Sequence, residues 1–214
     1  MTQRRVLLIG HGGREAALAD SIATSAELVA FATIKNPMIA QLSAELKTSS
    51  TYDPSQVLDF AKRTRPDFVM IGPEEPISLG VGDTLKGEGF DVFAPSASAA
   101  RLEWDKAYMR AFLARHAPDL NVPFVLAENG EQVRQFFREV PWPMAVKPVG
   151  LTGGKGAKVL GKQLASERDA AQYALQCLDK HGVPVLLEQL IRNLSTTLRH
   201  RRLIFSEQFL RCWM

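Results

Sequence analysis

Cysteine is scarce in this chain: Cys177 and Cys212 are the only two among 214 residues. That is too few for a disulfide framework. Cys177, in the helical stretch AQYALQCLDK, reads as a buried thiol. Net charge is also small. Twenty-six Lys and Arg against 23 Asp and Glu leave +3, too little to argue for a nucleic-acid partner. No apolar run approaches the roughly 18 residues of a membrane span. The opening MTQRRVLLIG has two arginines and a short apolar run, but glycines and charges end it at once, so it reads as a first strand and not a signal peptide. Internal repeats and low-complexity segments are missing. The composition is 46% hydrophobic and 23% charged, that of an ordinary globular protein. A cytoplasmic monomer acting on small molecules is expected, with neither nucleic acid nor membrane as partner.

The most informative stretch present is PMAVKPVGLTGGKGAKVL, residues 143–160. An apolar run ending in Lys147 leads into Gly150, Gly153, Gly154, Lys155 and Gly156, and a second apolar run follows. This predicts a strand–glycine loop–strand hairpin. A loop with so few side chains brings backbone N–H groups close to an anion, and Lys147 and Lys155 add positive charge. The pattern suits nucleotide phosphates. It is not a P-loop: only three residues separate Gly150 from Gly154, Gly156 follows Lys155, and no helix comes next. Taken alone, the same loop is also readable as a plain hairpin tip carrying a solvated lysine.

The first hundred residues alternate strands and helices. RVLLI is followed by GHGGRE and a helical AALADSIATS. Further strands are expected at 28–34, 67–71 and 91–93, and helices at 54–63, capped by Asp53, and 79–86. This predicts a parallel, doubly wound sheet. GHGGRE and GPEEP leave its C-terminal edge. GHGGRE fits a dinucleotide fingerprint only at Gly10 and Gly12; Glu15 stands where the third glycine belongs, a residue expected to spoil helix–strand packing, and the acid about 20 residues on is missing. Lys35 keeps an NADP reading open. An anion at the helix N-terminus, assisted by Arg14, is the simpler one. GPEEP offers carboxylates for sugar hydroxyls or an amine, or is no more than a rigid turn.

A long helix is expected over 98–116, then a strand at 124–126, a helix from Asn129 to 138, the hairpin, a helix over 165–180 and a buried strand over 183–188. After Leu190 the texture changes. IRNLSTTLRHRRLIFSEQFLRCWM holds five arginines and one acidic residue, without glycine or proline. It reads either as a basic nucleic-acid-binding tail or, more plainly, as the product of a shifted reading frame.

In this order, GHGGREAALA, IGPEEPISLGVGD, FAPSASAARLEWDKAYMRAFLARH, MAVKPVGLTGGKG and VLLEQL resemble the phosphoribosylamine–glycine ligases, also called glycinamide ribonucleotide synthetases, over residues 4–190. The resemblance implies an α/β fold with a Rossmann-like domain at 1–103 and the N-terminal part of an ATP-grasp domain at 104–190, leaving 191–214 as an anomalous tail. It implies ATP-dependent joining of glycine to 5-phosphoribosylamine through glycyl phosphate, with Mg²⁺ or Mn²⁺. By position, Gly12, Gly13, Arg14, Gly72, Pro73 and Glu74 would serve phosphoribosylamine. Lys106, Lys147, Gly150, Gly153, Gly154, Lys155 and Gly156 would serve the ATP phosphates, and Glu188, Gln189 and Leu190 the adenine. No catalytic residue is assigned.

The sequence departs from the family at Ala16, where His is usual; at LTGGKG, where LAAGKG is usual; and at Trp104 and Asp105, which replace small residues. From Ile191 the family's glycine, paired glutamates and metal-binding acidic segment are all missing. The chain is therefore expected to be truncated, without its metal ligands and inactive alone. The alternative is a non-catalytic phosphosugar- or nucleotide-binding module.

Overall fold

In the computed structural model, the described residues are 3–140, 144–150 and 156–190. The chain forms two compact units, divided after Phe112.

The first unit is a five-stranded parallel sheet in the order β3-β2-β1-β4-β5. Its strands are β1 (Arg5–Ile9), β2 (Glu27–Ala32), β3 (Glu45–Thr48), β4 (Phe68–Ile71) and β5 (Val92–Phe93). The helices between them are α1 (Gly13–Ala23), α2 (Pro37–Leu42), α3 (Pro54–Thr64), α4 (Glu74–Ser78) and α5 (Val81–Gly87), followed by α6 (Ala97–Trp104) and α7 (Lys106–His116), whose last turn lies past the division. Alternate residues of each strand enter different cores, as the pleat requires. Leu7, Ile9, Val29, Phe31, Val69 and Ile71 pack with Val57 and Phe60 of α3 and Val81 and Leu85 of α5. Leu8, Leu28 and Ala30 pack with Ala16 and Ala19 of α1 and Ile39 of α2. Helices thus cover both faces, and the chain changes face between β1 and β4, the neighbours at the centre of the sheet.

Local chemistry explains the elements that sequence patterning left out. α2 and β3 were not foreseen, although Asn36 caps α2 through its side-chain oxygen, which accepts from the Met38 and Ile39 N–H groups, with Pro37 following. The helix expected over 79–86 is α5, which starts two residues later at Val81 because Gly80, its N-cap, has φ +80°; the short α4 before it was not expected. The long helix expected over 98–116 is two. Asp105 leaves the helical conformation (φ −103°, ψ 92°), and its carboxylate accepts from Tyr108 N at 2.9 Å and Arg101 Nε at 3.0 Å. A carboxylate that can bond the backbone on its C-terminal side caps a new helix better than it continues an old one. Trp104, just before this break, packs against the first core, and its indole N–H is buried without a hydrogen-bond partner among the described residues.

The second unit contains a 3₁₀ turn at Pro118–Leu120, β6 (Phe124–Ala127), α8 (Gly130–Glu139), β7 (Met144–Pro148), β8 (Lys158–Val159), α9 (Glu167–His181) and β9 (Val185–Gln189). Its sheet is antiparallel, in the order β6-β9-β7-β8. Met144, Val146, Val185 and Leu187 face α8 and α9, against Val133, Phe136, Ala170, Ala174 and Cys177. Ala145, Lys147, Leu186 and Glu188 therefore occupy the opposite sheet face. The β7–β8 pairing is the hairpin expected around the glycine loop. Cys177 is buried, as its helical context suggested.

Candidate functional site

The crevice at the C-terminal ends of β1 and β4 is where a doubly wound sheet opens, because the connections from these neighbouring strands depart to opposite faces. The loop after β1 supplies Gly10 to Gly13, and the loop after β4 supplies Gly72 and Pro73. Glu15 joins them. It is 3% exposed, and its carboxylate accepts Gly12 N–H at 2.7 Å and Arg14 Nε–H at 3.0 Å. Three glycines make room for it. A Cβ on Gly10 would lie 2.5 Å from Glu15 Cγ and 2.8 Å from Pro73 Cδ, and one on Gly12 2.6 Å from Glu15 Oε2. A Cβ on Gly72 would lie 2.5 Å from Glu15 Cγ. Gly10 also has φ +136°, a conformation few other residues adopt.

Glu15 therefore does not spoil packing, as its place in the fingerprint suggested. Its side chain fills the space that the glycines vacate, and it returns a hydrogen bond to the start of its own helix. Reading Glu15 only as a failed third glycine concealed this role, although Glu three residues after a helix N-cap is a known signature.

Six of the sequence-predicted residues meet here. Gly12 precedes α1 and Gly13 begins it, and a Cβ on Gly13 would meet nothing within 4 Å, so the space before the helix is open. The first amides of α1 lack intrahelical acceptors and suit an anion. Arg14 is 63% exposed in its side chain and lies 4.0 Å from Glu74. Gly72 continues the strand ladder by donating to Ile9 O at 3.0 Å, Pro73 is the N-cap of α4, and Glu74 is its first residue. Ala16, where the family's histidine was expected, is buried with Leu8 and Leu28.

Beside these is a cluster that sequence reading missed. His11 Nδ1 is 3.0 Å from the Tyr52 hydroxyl and 3.2 Å from Thr33 Oγ1. Asn36 Nδ2 donates to the His11 carbonyl at 2.9 Å. Tyr52 is completely buried, and burial raises its phenol pKa above the ordinary value, against the opposing effect of hydrogen bonds from Thr33. The four residues come from the loops after β1, β2 and β3. Only their shared edge unites them, which explains their silence in the sequence.

In the second unit, Lys147 of β7 and Glu188 of β9 form an ion pair on the sheet face opposite the helices. Glu188 is 4% exposed. Gln189 ends β9, its N–H donating to Pro123 O at 3.0 Å, and Leu190 follows. Gly150 leaves β7 with φ +97°, beyond Val149, whose N–H donates to Pro184 O at 2.9 Å. Gly156 precedes β8, and its carbonyl accepts from Tyr173 Oη at 2.7 Å. Gly153, Gly154 and Lys155 lie outside the described residues, as does the tail. Lys106 is half-buried at the start of α7, in the first unit. The structure thus gathers Lys147, Glu188, Gln189 and Leu190, with Gly150 and Gly156 on the hairpin.

Among the described residues no three His, Cys, Asp or Glu side chains cluster as metal ligands, and no helix is long and apolar enough to cross a membrane. The described residues do not fit a Mg²⁺ site.

Residues 4–103 match the family model for phosphoribosylglycinamide synthetase, N domain. The phosphoribosylamine–glycine ligase of Pyrococcus abyssi is 39% identical over 186 residues, covering 86% of this chain and 42% of that protein. The Methanocaldococcus jannaschii ligase is 36% identical over 202 residues, with coverage of 91% and 46%. The chain thus spans less than half the length of these relatives. Among solved structures, N5-carboxyaminoimidazole synthetase from Staphylococcus aureus, complexed with ADP, superposes with TM-score 0.68 at 18% identity, covering 88% of this chain and 48% of that one. Phosphoribosylamine–glycine ligase from Thermotoga maritima gives 0.61 at 24%, covering 88% and 44%. These two likenesses concern the fold. The family model thus matches the first hundred residues, and over most of its length the chain is similar to the N-terminal portion of phosphoribosylamine–glycine ligases.

Proposed function

We propose that this chain is the N-terminal portion of an ADP-forming ligase of purine biosynthesis that joins glycine to 5-phosphoribosylamine. In that reaction ATP phosphorylates the glycine carboxylate. The amine of phosphoribosylamine then attacks the acyl carbon and expels phosphate, leaving glycinamide ribonucleotide and ADP. The observation that carries the proposal is that 39% identity runs over 186 residues, well beyond the 100 residues of the N domain. The crevice at Gly12, Gly13, Arg14, Gly72, Pro73 and Glu74 would take the phosphosugar, its anion facing the first amides of α1. Lys106 and Lys147, with the glycine loop from Gly150 through Gly153, Gly154 and Lys155 to Gly156, would neutralise the ATP phosphates, and Glu188, Gln189 and Leu190 would receive the adenine. Positioning and charge neutralisation are most of what phosphoryl transfer needs. Mg²⁺ would be held by residues outside those described. The chain would act in the cytoplasm, as a monomer, on small molecules and not on nucleic acid.

We propose further that the 214-residue chain alone does not turn over, since its relatives extend more than twice as far. The test has two arms. The chain alone, given ATP, glycine and phosphoribosylamine, is expected to form no glycinamide ribonucleotide. A chimera of residues 1–190 with the remaining portion of the Pyrococcus abyssi ligase is expected to form it with ADP. A folded but inactive chimera would refute the ligase reading. A second reading, a phosphosugar-binding module without turnover, rests on the open space before α1 at Gly13 and the exposed Arg14 beside it. Stabilisation of the chain by ribose 5-phosphate beside an inactive chimera would select it.

A further inference from the structure

His11 is tied into the crevice in a way that leaves one of its ring nitrogens for a ligand. Its neighbours on the inner side are two hydroxyls, Tyr52 at 3.0 Å and Thr33 at 3.2 Å, both to Nδ1. Tyr52 is fully buried, so its O–H needs an acceptor within the protein. The lone pair of Nδ1, 3.0 Å from the phenol oxygen, serves as that acceptor. In a neutral imidazole one nitrogen accepts and the other carries the proton. An accepting Nδ1 fixes the hydrogen on Nε2. Among the described residues Nε2 has no partner, while the ring is only half-buried. The backbone of the same residue is fixed as well, by Asn36 Nδ2 on its carbonyl at 2.9 Å and by the Gly12 N–H bond to Glu15 at 2.7 Å. Such support is what a positioned donor requires.

We infer that His11 presents Nε2–H to an oxygen of a sugar phosphate bound in the crevice and makes the site selective for that class of ligand over anions without a sugar. Tyr52 and Thr33 are positioning residues, which set the tautomer and hold the ring plane. The inference rests on the proposed phosphosugar reading of the crevice and adds to it a side-chain donor from within the first glycine loop.

The test uses the full chain and ribose 5-phosphate. Nitrogen NMR of the histidine rings, with the His11 signals identified by their loss in His11→Asn, is expected to show neutral His11 protonated on Nε2. It is also expected to show Nε2, not Nδ1, shifting when ribose 5-phosphate is added. By calorimetry His11→Asn, which keeps a polar group near the Nδ1 position but loses the outer donor, should bind roughly three- to tenfold more weakly. His11→Gln, whose amide nitrogen reaches the Nε2 position, should recover most of the loss. Inorganic phosphate should bind all three alike. Tyr52→Phe should increase the other tautomer and weaken sugar-phosphate binding in step. An Nδ1-protonated ring, or unchanged ribose 5-phosphate affinity in a folded His11→Asn protein, overturns the inference and leaves the phosphosugar reading standing. If the unaltered chain does not bind ribose 5-phosphate at all, the phosphosugar reading fails and the inference falls with it.

Discussion

Replacing Gly72 by Ala tests whether Glu15 locks the two crevice loops together. In the unaltered protein the new Cβ would lie 2.5 Å from Glu15 Cγ and 2.8 Å from Cδ, closer than real Cβ contacts come. Gly72 is not among the positive-φ glycines, so the backbone conformation itself opposes no side chain. The cost is therefore overpacking, about 1–3 kcal/mol. Glu15→Ala removes a buried carboxylate that accepts from Gly12 N and Arg14 Nε. Losing charge-assisted bonds and opening a void should cost about 3 kcal/mol. In the double variant the methyl at position 72 enters the space left by Glu15, and the overpacking term disappears. The double variant should therefore be less destabilised than the sum of the singles by at least about 1 kcal/mol. Native-state hydrogen exchange of the Leu7, Leu8 and Ile9 amides in β1 reads the stability of the first unit directly. Additivity to within about 0.5 kcal/mol would refute the argument, as would a neutral Gly72→Ala.

Three further outcomes follow from other contacts. Lys147→Met should destabilise the second unit by roughly 1–3 kcal/mol, because it takes the Lys147 ammonium away from the buried Glu188 carboxylate; Glu188→Gln should cost less, since Lys147 is 29% exposed in its side chain and its ammonium can hydrate. Equal losses in urea unfolding would contradict this. The Ser55 hydroxyl and the first amides of α3 hold the Asp53 carboxyl below its ordinary value of 3.8. Its contribution is then present above that value and lost as pH falls through the lower folded one, so Asp53→Asn should flatten the acid limb of the first unit's stability profile; an unchanged limb would count against the cap. In a Cys212→Ser background, Cys177, at 4% exposure, should react with a thiol reagent only as fast as the second unit opens, and rapid reaction of the native protein would show that the thiol is accessible.

What the sequence disclosed depended on how local each signal was. The βα alternation, the Asp53 cap, the helix starting at Asn129 and the glycine hairpin are written within a few neighbouring residues, and the structure contains all of them, with Asn129 as the N-cap of its helix. Short elements with weaker periodicity, α2 and β3, were lost even though Asn36-Pro37 is a helix-start signal. The helix expected at 79–86 is present with its start moved to Val81 by Gly80, whereas the single helix expected at 98–116 failed at Asp105, where one residue's capping preference overrides a continuous apolar pattern. At the crevice, the glycines were legible but their reason was not. They are small because Glu15 and Pro73 occupy the space a side chain would need, and those contacts cross from one loop to another. The His11 cluster was less legible still, since His11, Thr33 and Tyr52 are brought together only by the parallel order β3-β2-β1.

The Glu15 clip has a kinetic consequence. Loops that must close over a ligand impose a slow isomerisation after encounter, seen as a rate that saturates with ligand concentration. Here the Glu15 side chain, hydrogen-bonded at 2.7 Å and 3.0 Å within the segment after β1, already packs against Gly72 of the loop after β4, so the ordering of both loops was completed when the chain folded. Association at this crevice should therefore be a single step whose rate rises linearly with ligand concentration, with affinity differences among ligands expressed in how fast they leave.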